Sequence, residues 1–334
     1  MTTVRVAMTG FGNVGNQVAE LIDRRREHFA THFGVEVLVT GVCGSTTGLI
    51  DPSRISPERL QHKAAFEPGL TGSAFMEQVN ADVLVEAGPS DYSTGQPGLD
   101  YITSAINRGL HVIAVSKGAL VVEGPTLLQS AREKGVQLLM SGASASALPT
   151  IDFLTYDLAG THIKRIEAVL TGTTTFILDT MVSRNASFDE ALAEAQQLGI
   201  AEPEPSFDVD GWDTAAKVVI IANAVFGVPL AISSLARESL RSLTAEQLGS
   251  WKADGLTPRL VGYVNQDEGQ VEAGVGIRLY SAEHPFSLTR GSTKALYAET
   301  MDLGEFTLLG GASNPRATAA AALKDFHHIL TSSE

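Results

Sequence analysis

The 334-residue chain has a single cysteine, Cys43, so it can build neither an internal disulfide nor a cysteine-based metal cluster. That usage suits a reducing compartment, and the cytoplasm is the expected location. Charge is also scarce: 19% of residues are charged, against roughly 25% in an average domain. What charge there is leans acidic, with 24 lysines and arginines facing 38 aspartates and glutamates, a net −14. No basic run is interleaved with aromatics, so nucleic acid is not an expected partner. Long apolar runs are missing too: no window reaches ~18 uncharged apolar residues, and the N-terminus lacks the basic start and apolar core of a signal peptide. A soluble protein with no membrane partner is expected. The chain is instead richer than average in glycine, at 32 positions, and 44% of its residues are hydrophobic. At ~100–200 residues per domain there is room for two domains with sizeable cores.

The first half alternates apolar runs with helical stretches, the pattern of a parallel sheet covered on both faces. Val4–Met8, Val35–Val42, Val83–Glu86, His111–Ala114 and Val136–Leu139 read as strands. Helices are expected around Val14–Phe29, Thr71–Val79, Leu99–Arg108 and Gly124–Lys134. The texture changes from Ile151. Ile166–Thr171 reads as a strand, Thr174–Arg184 and Phe188–Leu198 as helices, and Ala201–Asp210 as a loop stiffened by Pro203 and Pro205. After a helix over Gly211–Phe226, alternating segments at Arg259–Val264, Val271–Leu279 and Ala295–Glu299 predict a mixed or antiparallel sheet. The end, Gly310–Leu330, is a glycine turn and an Ala-rich helix too short for a domain, expected to pack back on one of the others. The fold class is therefore α/β: a doubly wound parallel sheet with a second, α+β domain.

Gly10-Phe11-Gly12-Asn13-Val14-Gly15 follows the first strand and opens the first helix, the context in which this spacing signifies dinucleotide binding. Gly10 allows the tight turn, Gly12 admits the pyrophosphate to the backbone, and Gly15 lets helix and strand pack closely. The helix N-terminus then offers N–H groups to the anion. At the end of the second strand, where NAD-specific proteins usually carry a carboxylate for the ribose, this chain reads Val42-Cys43-Gly44-Ser45-Thr46. Ser45 and Thr46 can hydrogen-bond a 2′-phosphate, so the cofactor is NADP or NAD, leaning to NADP.

Two further segments carry candidate chemistry. The strand His111–Ala114 delivers Lys117 to the edge where ligands bind open α/β sheets. There a lysine with lowered pKa can act as acid or base, although solvated lysines after strands are common. Ser90, in the polar loop Ser90–Pro97 at the same edge, is a candidate contact to the nicotinamide ribose. The second segment is Glu202-Pro-Glu-Pro-Ser-Phe-Asp208-Val-Asp210-Gly-Trp-Asp213-Thr-Ala-Ala-Lys217. If the helix starts after Asp210 as N-cap, Asp213 and Lys217 stand at i, i+4 on one face and can pair. An exposed helix start would explain such charges, but Val218-Val219-Ile220-Ile221-Ala222 follows, so the helix is mostly buried and its charges are expected in a cleft. Glu202 or Asp208 would hold a substrate ammonium, and Lys217, oriented by Asp213, would bond an oxygen undergoing oxidation or reduction. That makes an amino acid the expected substrate.

Over nearly its whole length the chain resembles homoserine dehydrogenase, which interconverts homoserine and aspartate 4-semialdehyde with NAD(P). The resemblance rests on the glycine loop, Thr94-Gly95-Gln96-Pro97, Lys117-Gly118, Gly172-Thr173-Thr174, the Glu202…Asp213…Lys217 segment, His284-Pro285-Phe286…Arg290-Gly291 and the final Gly310-Gly311. It implies that Glu202 and Asp208 hold the amino group, that Gly172 and Thr173 bind near the carboxylate and hydroxyl, and that Lys117 and Lys217 move protons. Gly311 is carried over as a cofactor-binding position, and a homodimer is implied. Which lysine is the base stays open, since the two would titrate as a unit; Lys217 is the slightly favoured choice.

The chain departs from the family pattern at Ser116 and Ala119, where the family has Asn-Lys-Gly-Pro, and at Thr175 and Phe176, where it has Asn and Tyr. Ser141 stands where a carboxylate, with backbone carbonyls, commonly holds a sodium ion, so no metal is expected. Neither a regulatory domain nor threonine inhibition is expected. An aspartate-semialdehyde dehydrogenase would need a cysteine nucleophile, and Cys43 lies too early. A non-catalytic dinucleotide-binding protein, or a relative acting on another 2-amino or hydroxy acid, is the alternative. His162 and His284 read as surface or capping residues and Trp212 as a packing residue. Residues 1–138 with 309–334 are expected to bind the dinucleotide, and 139–308 to bind substrate and dimerise, with the cleft between.

Overall fold

Strands buried on both faces lose the alternation of a half-exposed sheet, and the apolar runs of the first half form such strands. The computed structural model describes residues 1–332, the Lys63 side chain apart. The chain divides into two units: Met1–Ala147 with the C-terminal segment from Asn314, and Leu148–Ser313.

The first unit holds a seven-stranded sheet of β1 (Thr2–Thr9), β2 (Val35–Cys43), β3 (Thr47–Ile50), β4 (Glu67–Pro68), β5 (Val83–Glu86), β6 (His111–Ala114) and β7 (Leu138–Leu139), in the order β4-β3-β2-β1-β5-β6-β7. From β2 to β7 the pairing is parallel, the Rossmann arrangement expected. β5 and β6 have the bounds read from the sequence. β3 and β4 are antiparallel additions at one edge that the sequence did not reveal, because two to four residues give no period to read.

Two helices differ from expectation. The span expected as one helix over Val14–Phe29 is two, Asn13–Arg24 and Arg26–His32. The break comes at Arg25, whose N–H is shared between the carbonyls of Leu21 and Ile22, both at 3.1 Å, a tightening that ends the first helix. The helix expected from Gly124 begins at Gly118 and runs to Lys134, bent at Glu123 ahead of Pro125, whose ring and missing N–H disrupt the ladder. The C-terminal helix, Pro315–Thr331, starts at a full cap: the Asn314 side chain accepts from the Ala317 N–H at 2.9 Å. Its Ala319, Ala322, Leu323 and Phe326 share one core with Val18, Ala19 and Ile22 of the first helix.

The second unit holds β8 (Ile163–Val169), β9 (Ala236–Arg237), β10 (Thr257–Asp267), β11 (Gln270–Tyr280), β12 (Lys294–Thr300) and β13 (Glu305–Gly310), ordered β13-β12-β8-β10-β11-β9. The sheet is mixed, antiparallel except where β11 pairs with β9. β10 and β11 join through Glu268 and Gly269, both at positive φ, a two-residue turn that matches strand twist. The helices Gly172–Arg184 and Trp212–Phe226 pack on β10. Among the described residues no helix is long and apolar enough to cross a membrane.

Candidate active site

At the end of β1 the chain turns through Gly10 with φ +74°, and a Cβ there would stand 2.2 Å from the Gly88 nitrogen in the segment after β5. Only glycine fits. A Cβ at Gly12, by contrast, would meet no other atom within 4 Å, and no side chain caps the helix that begins at Asn13. Asn13, Val14 and Gly15 thus form a first turn beside open space, the cradle a pyrophosphate requires. The residues present fit a dinucleotide. Phe11 serves the fold instead, since its N–H donates to the Cys43 carbonyl at 3.0 Å and its buried ring stacks on Phe66. Ser45 and Thr46 are exposed at the tip of the β2–β3 turn, closed by the Gly44 N–H on the Thr47 carbonyl at 2.8 Å.

The carboxyl ends of β5 and β6 bring Ser90 and Lys117 together: the Lys117 N–H donates to the Ser90 hydroxyl at 2.9 Å. Beside Lys117 lies a group that the sequence did not single out. Glu86 ends β5 wholly buried, accepting from the Gly88 N–H at 2.7 Å and from the Ser116 hydroxyl. Burial pushes its carboxyl up from the ordinary range. The available signal was a glutamate closing the apolar run Val83-Leu84-Val85. Ser116, one of the departures from the family pattern, therefore has a structural partner. Cys43 is buried 3.6 Å from the Tyr101 hydroxyl, and desolvation raises its thiol to about 11, so it is no nucleophile.

In the second unit the chain passes from β8 into the helix Gly172–Arg184, and a Cβ on Gly172 would meet the Gly291 carbonyl oxygen at 2.9 Å. Thr173 donates to the Ile200 carbonyl at 3.2 Å, and the buried Thr175 hydroxyl bonds back to the Thr171 carbonyl at 3.2 Å. Lys217 and Asp213 pair at 2.5 Å with side chains only 12% and 18% exposed. The Lys217 ammonium also donates to the Leu170 carbonyl at 2.9 Å. Asp208 joins this group: desolvation raises its carboxyl, the charges of Asp213 and Glu202 raise it further, and the Thr173 hydroxyl and Lys217 pull it down. Glu202 is exposed, its carbonyl held by the Gln196 amide at 3.0 Å.

Two expectations here are corrected. The helix starts at Trp212 with Gly211 as N-cap at φ +76°, so Asp210 is not the cap. Its carboxylate instead accepts from the Ser239 hydroxyl at 2.6 Å and Arg241 Nε at 3.1 Å, partners more than 25 residues on that no local pattern reveals. The loop Ala201–Asp210 also contains a short helix, Ser206–Val209. Gly311 stands at the end of β13 in the second unit, where a Cβ would lie 2.7 Å from the Leu148 nitrogen. His284 is a capping residue, accepting from the Phe286 N–H at 3.2 Å, and His162 is exposed. Trp212 packs under the Arg237 guanidinium, 3.5 Å from its ring centre.

A glycine-turn dinucleotide unit and a second unit carrying a largely buried lysine–aspartate pair among carboxylates define an NAD(P)-dependent oxidoreductase. The chain belongs to the homoserine dehydrogenase family. The family's sequence model matches residues 149–326, and that of its NAD-binding domain matches residues 10–141. The NAD(+)-dependent homoserine dehydrogenase of Pseudomonas canavaninivorans is 31% identical, over 98% of this chain and 97% of that one. The Methanocaldococcus jannaschii homoserine dehydrogenase is 29% identical, over 98% and 99%. Among solved structures, a putative homoserine dehydrogenase from Archaeoglobus fulgidus matches with TM-score 0.88 at 29% identity, covering 98% of this chain and 99% of that one. A hyperthermophilic archaeal homoserine dehydrogenase mutant in complex with NADPH matches at TM-score 0.84 and 26% identity, covering 99% and 98%.

Proposed function

We propose that the protein interconverts L-homoserine and L-aspartate 4-semialdehyde with NAD(P). The observation that carries this reading is the largely buried Lys217–Asp213 pair one helical turn long, with Asp208 beside it. When bound, the nicotinamide supplies the hydride acceptor or donor. In oxidation the neutral amine form of Lys217 takes the hydroxyl proton as the hydride leaves the same carbon, and becomes the ammonium. In reduction it returns that proton to the aldehyde oxygen. Asp213 and the Leu170 carbonyl fix the ammonium in place, so the proton moves at a defined atom. Asp208 and Glu202 supply negative charge for the substrate ammonium, and Gly172 and Thr173 line the place for its carboxylate. Gly10, Gly12 and the turn Asn13–Gly15 hold the pyrophosphate, Ser45 and Thr46 the adenosine ribose or its phosphate, and Ser90 and Lys117 the nicotinamide end.

Homodimerisation, carried from the family resemblance, belongs to the same proposal and is checked by light scattering. So does a cytoplasmic setting, which suits the single buried thiol. The central test is nicotinamide absorbance with L-homoserine at mildly alkaline pH, using NADP and then NAD, beside Lys117→Ala and Lys217→Ala. Turnover by the wild type and a loss of about 100-fold or more in Lys217→Ala supports the reading. A folded wild type that binds NAD(P) yet leaves homoserine unchanged overturns it.

A further inference from the structure

The Ser141–Ala147 segment of the first unit is fastened to the C-terminal helix at three points. Ser146 bonds Thr318 hydroxyl to hydroxyl at 2.7 Å. The Ser141 N–H and hydroxyl donate to the two oxygens of Asp325 at 2.9 and 2.6 Å, and Asp325 is wholly buried. The Lys324 ammonium donates to the Ser141 hydroxyl oxygen at 2.8 Å and stands 3.7 Å from Asp325. The Ser141 hydroxyl is thus donor to the carboxylate and acceptor from the ammonium at once.

The family resemblance implies a sodium ion held by a carboxylate and carbonyls of this loop, and the residues present do not fit it. Residues 141–149 contain no acid. The Ser141 oxygen that stands in the carboxylate's place carries an N–H donor, and the nearby Asp325 accepts from Ser141 through both oxygens. A metal cation needs oxygen lone pairs directed at it, and here one lone pair of the Ser141 hydroxyl and one on each Asp325 oxygen already meet a proton, the first of them from the Lys324 ammonium. A buried carboxylate still needs a positive partner.

We propose that the Lys324 ammonium is the resident cation of this loop, a covalently tethered replacement for a monovalent metal ion, so that neither folding nor turnover calls on one. Lys324 acts here as a positioning residue, through Ser141 and Asp325, and touches no reacting atom.

The test compares thermal unfolding and dehydrogenase rate of the wild type in NaCl, KCl and tetramethylammonium chloride at equal ionic strength. Tetramethylammonium is too large and too weakly coordinating to occupy a carbonyl site. The expected result is a Tm constant within about 1 °C and a rate constant within about 1.5-fold across the three salts, since an ion that does not bind the native state cannot stabilise it. A rise of several degrees with Na⁺ or K⁺ over tetramethylammonium overturns the proposal. Lys324→Met is expected to lower Tm in tetramethylammonium and to recover part of the loss in Na⁺. The Ser141→Glu/Lys324→Met double variant, which restores a carboxylate and removes the ammonium, is expected to show the larger Na⁺-dependent rise. Wild-type Tm in Lys324→Met shows the ammonium idle and also overturns it. Should neither variant fold, the wild-type salt comparison decides alone. Tm is read without substrate, so failure of this inference is separable from failure of the proposed reaction.

Discussion

Asp213 and Lys217 sit one turn apart on the helix Trp212–Phe226, joined by a 2.5 Å ion pair that also touches the Leu170 carbonyl through the lysine. Both side chains are largely out of solvent, so the pair fixes the ammonium more firmly than an exposed i, i+4 pair, worth only ~0.3–0.5 kcal/mol, would do.

From this follows the first prediction. Asp213→Asn keeps the shape but removes the charge that holds Lys217, and is expected to lower kcat by roughly 10–100-fold with KM changed little. Steady-state kinetics with homoserine read both parameters. A loss confined to KM would make Asp213 a substrate ligand rather than a lysine holder.

Substrate affinity should depend on pH through Asp208. Desolvation and the neighbouring charges of Asp213 and Glu202 raise its carboxyl, whereas only its ionised form attracts an ammonium. KM for homoserine is therefore expected to rise as pH falls toward the carboxylate's raised range, and to level off above it. Asp208→Asn should raise KM about tenfold or more and flatten that dependence. An unchanged slope in the variant would assign the titration elsewhere.

Gly10 and Gly12 should respond differently to the same treatment. Gly10→Ala forces a Cβ against the Gly88 nitrogen at a positive-φ position and is expected to lower Tm by several degrees. Gly12→Val points its side chain into open space, so Tm should hold while the NADP or NAD dissociation constant rises about tenfold or more. Fluorescence titration beside thermal unfolding separates the two. Tight cofactor binding in Gly12→Val would remove the pyrophosphate from that space.

A histidine cluster of the first unit sets an acid limit on stability. His28 stacks with His32 at 5.2 Å and with His327 at 5.4 Å, against Phe29 and Phe33. Desolvation lowers the His327 pKa, and the charges of His28, Arg25, His32 and His328 lower it further. A histidine depressed in the fold contributes stability that is complete above its unfolded value, near 6.5, and is lost as pH falls from there toward the folded value. Tm measured from pH 8 down to 5.5 is expected to fall below about 6.5, less steeply in His327→Phe. An equal slope in that variant would place the acid sensitivity outside the cluster.

Legibility in the sequence followed physical range. β5 and β6 were readable to the residue because three buried apolar positions in a row, 83–85 and 112–114, are the mark of a strand covered on both faces. The Asp213–Lys217 pair was readable because a helix converts a spacing of four into contact. β4 and β9 were not, since two residues carry no period and their pairing is decided by the neighbours they meet. The bend at Glu123 had its cause, Pro125, in plain view; the earlier start at Gly118 did not.

Sequence alone determined the fold class, the glycine turn and the acidic approach to Lys217, because each is a local pattern whose geometry follows from backbone stereochemistry. Tertiary structure decided the partners of the buried polar groups. Glu86 meets Ser116 from 30 residues away, and Asp325 meets Ser141 from 184. A buried carboxylate must find donors wherever the chain brings them, and that meeting is written in the packing of sheet and helices, where no sequence spacing records it.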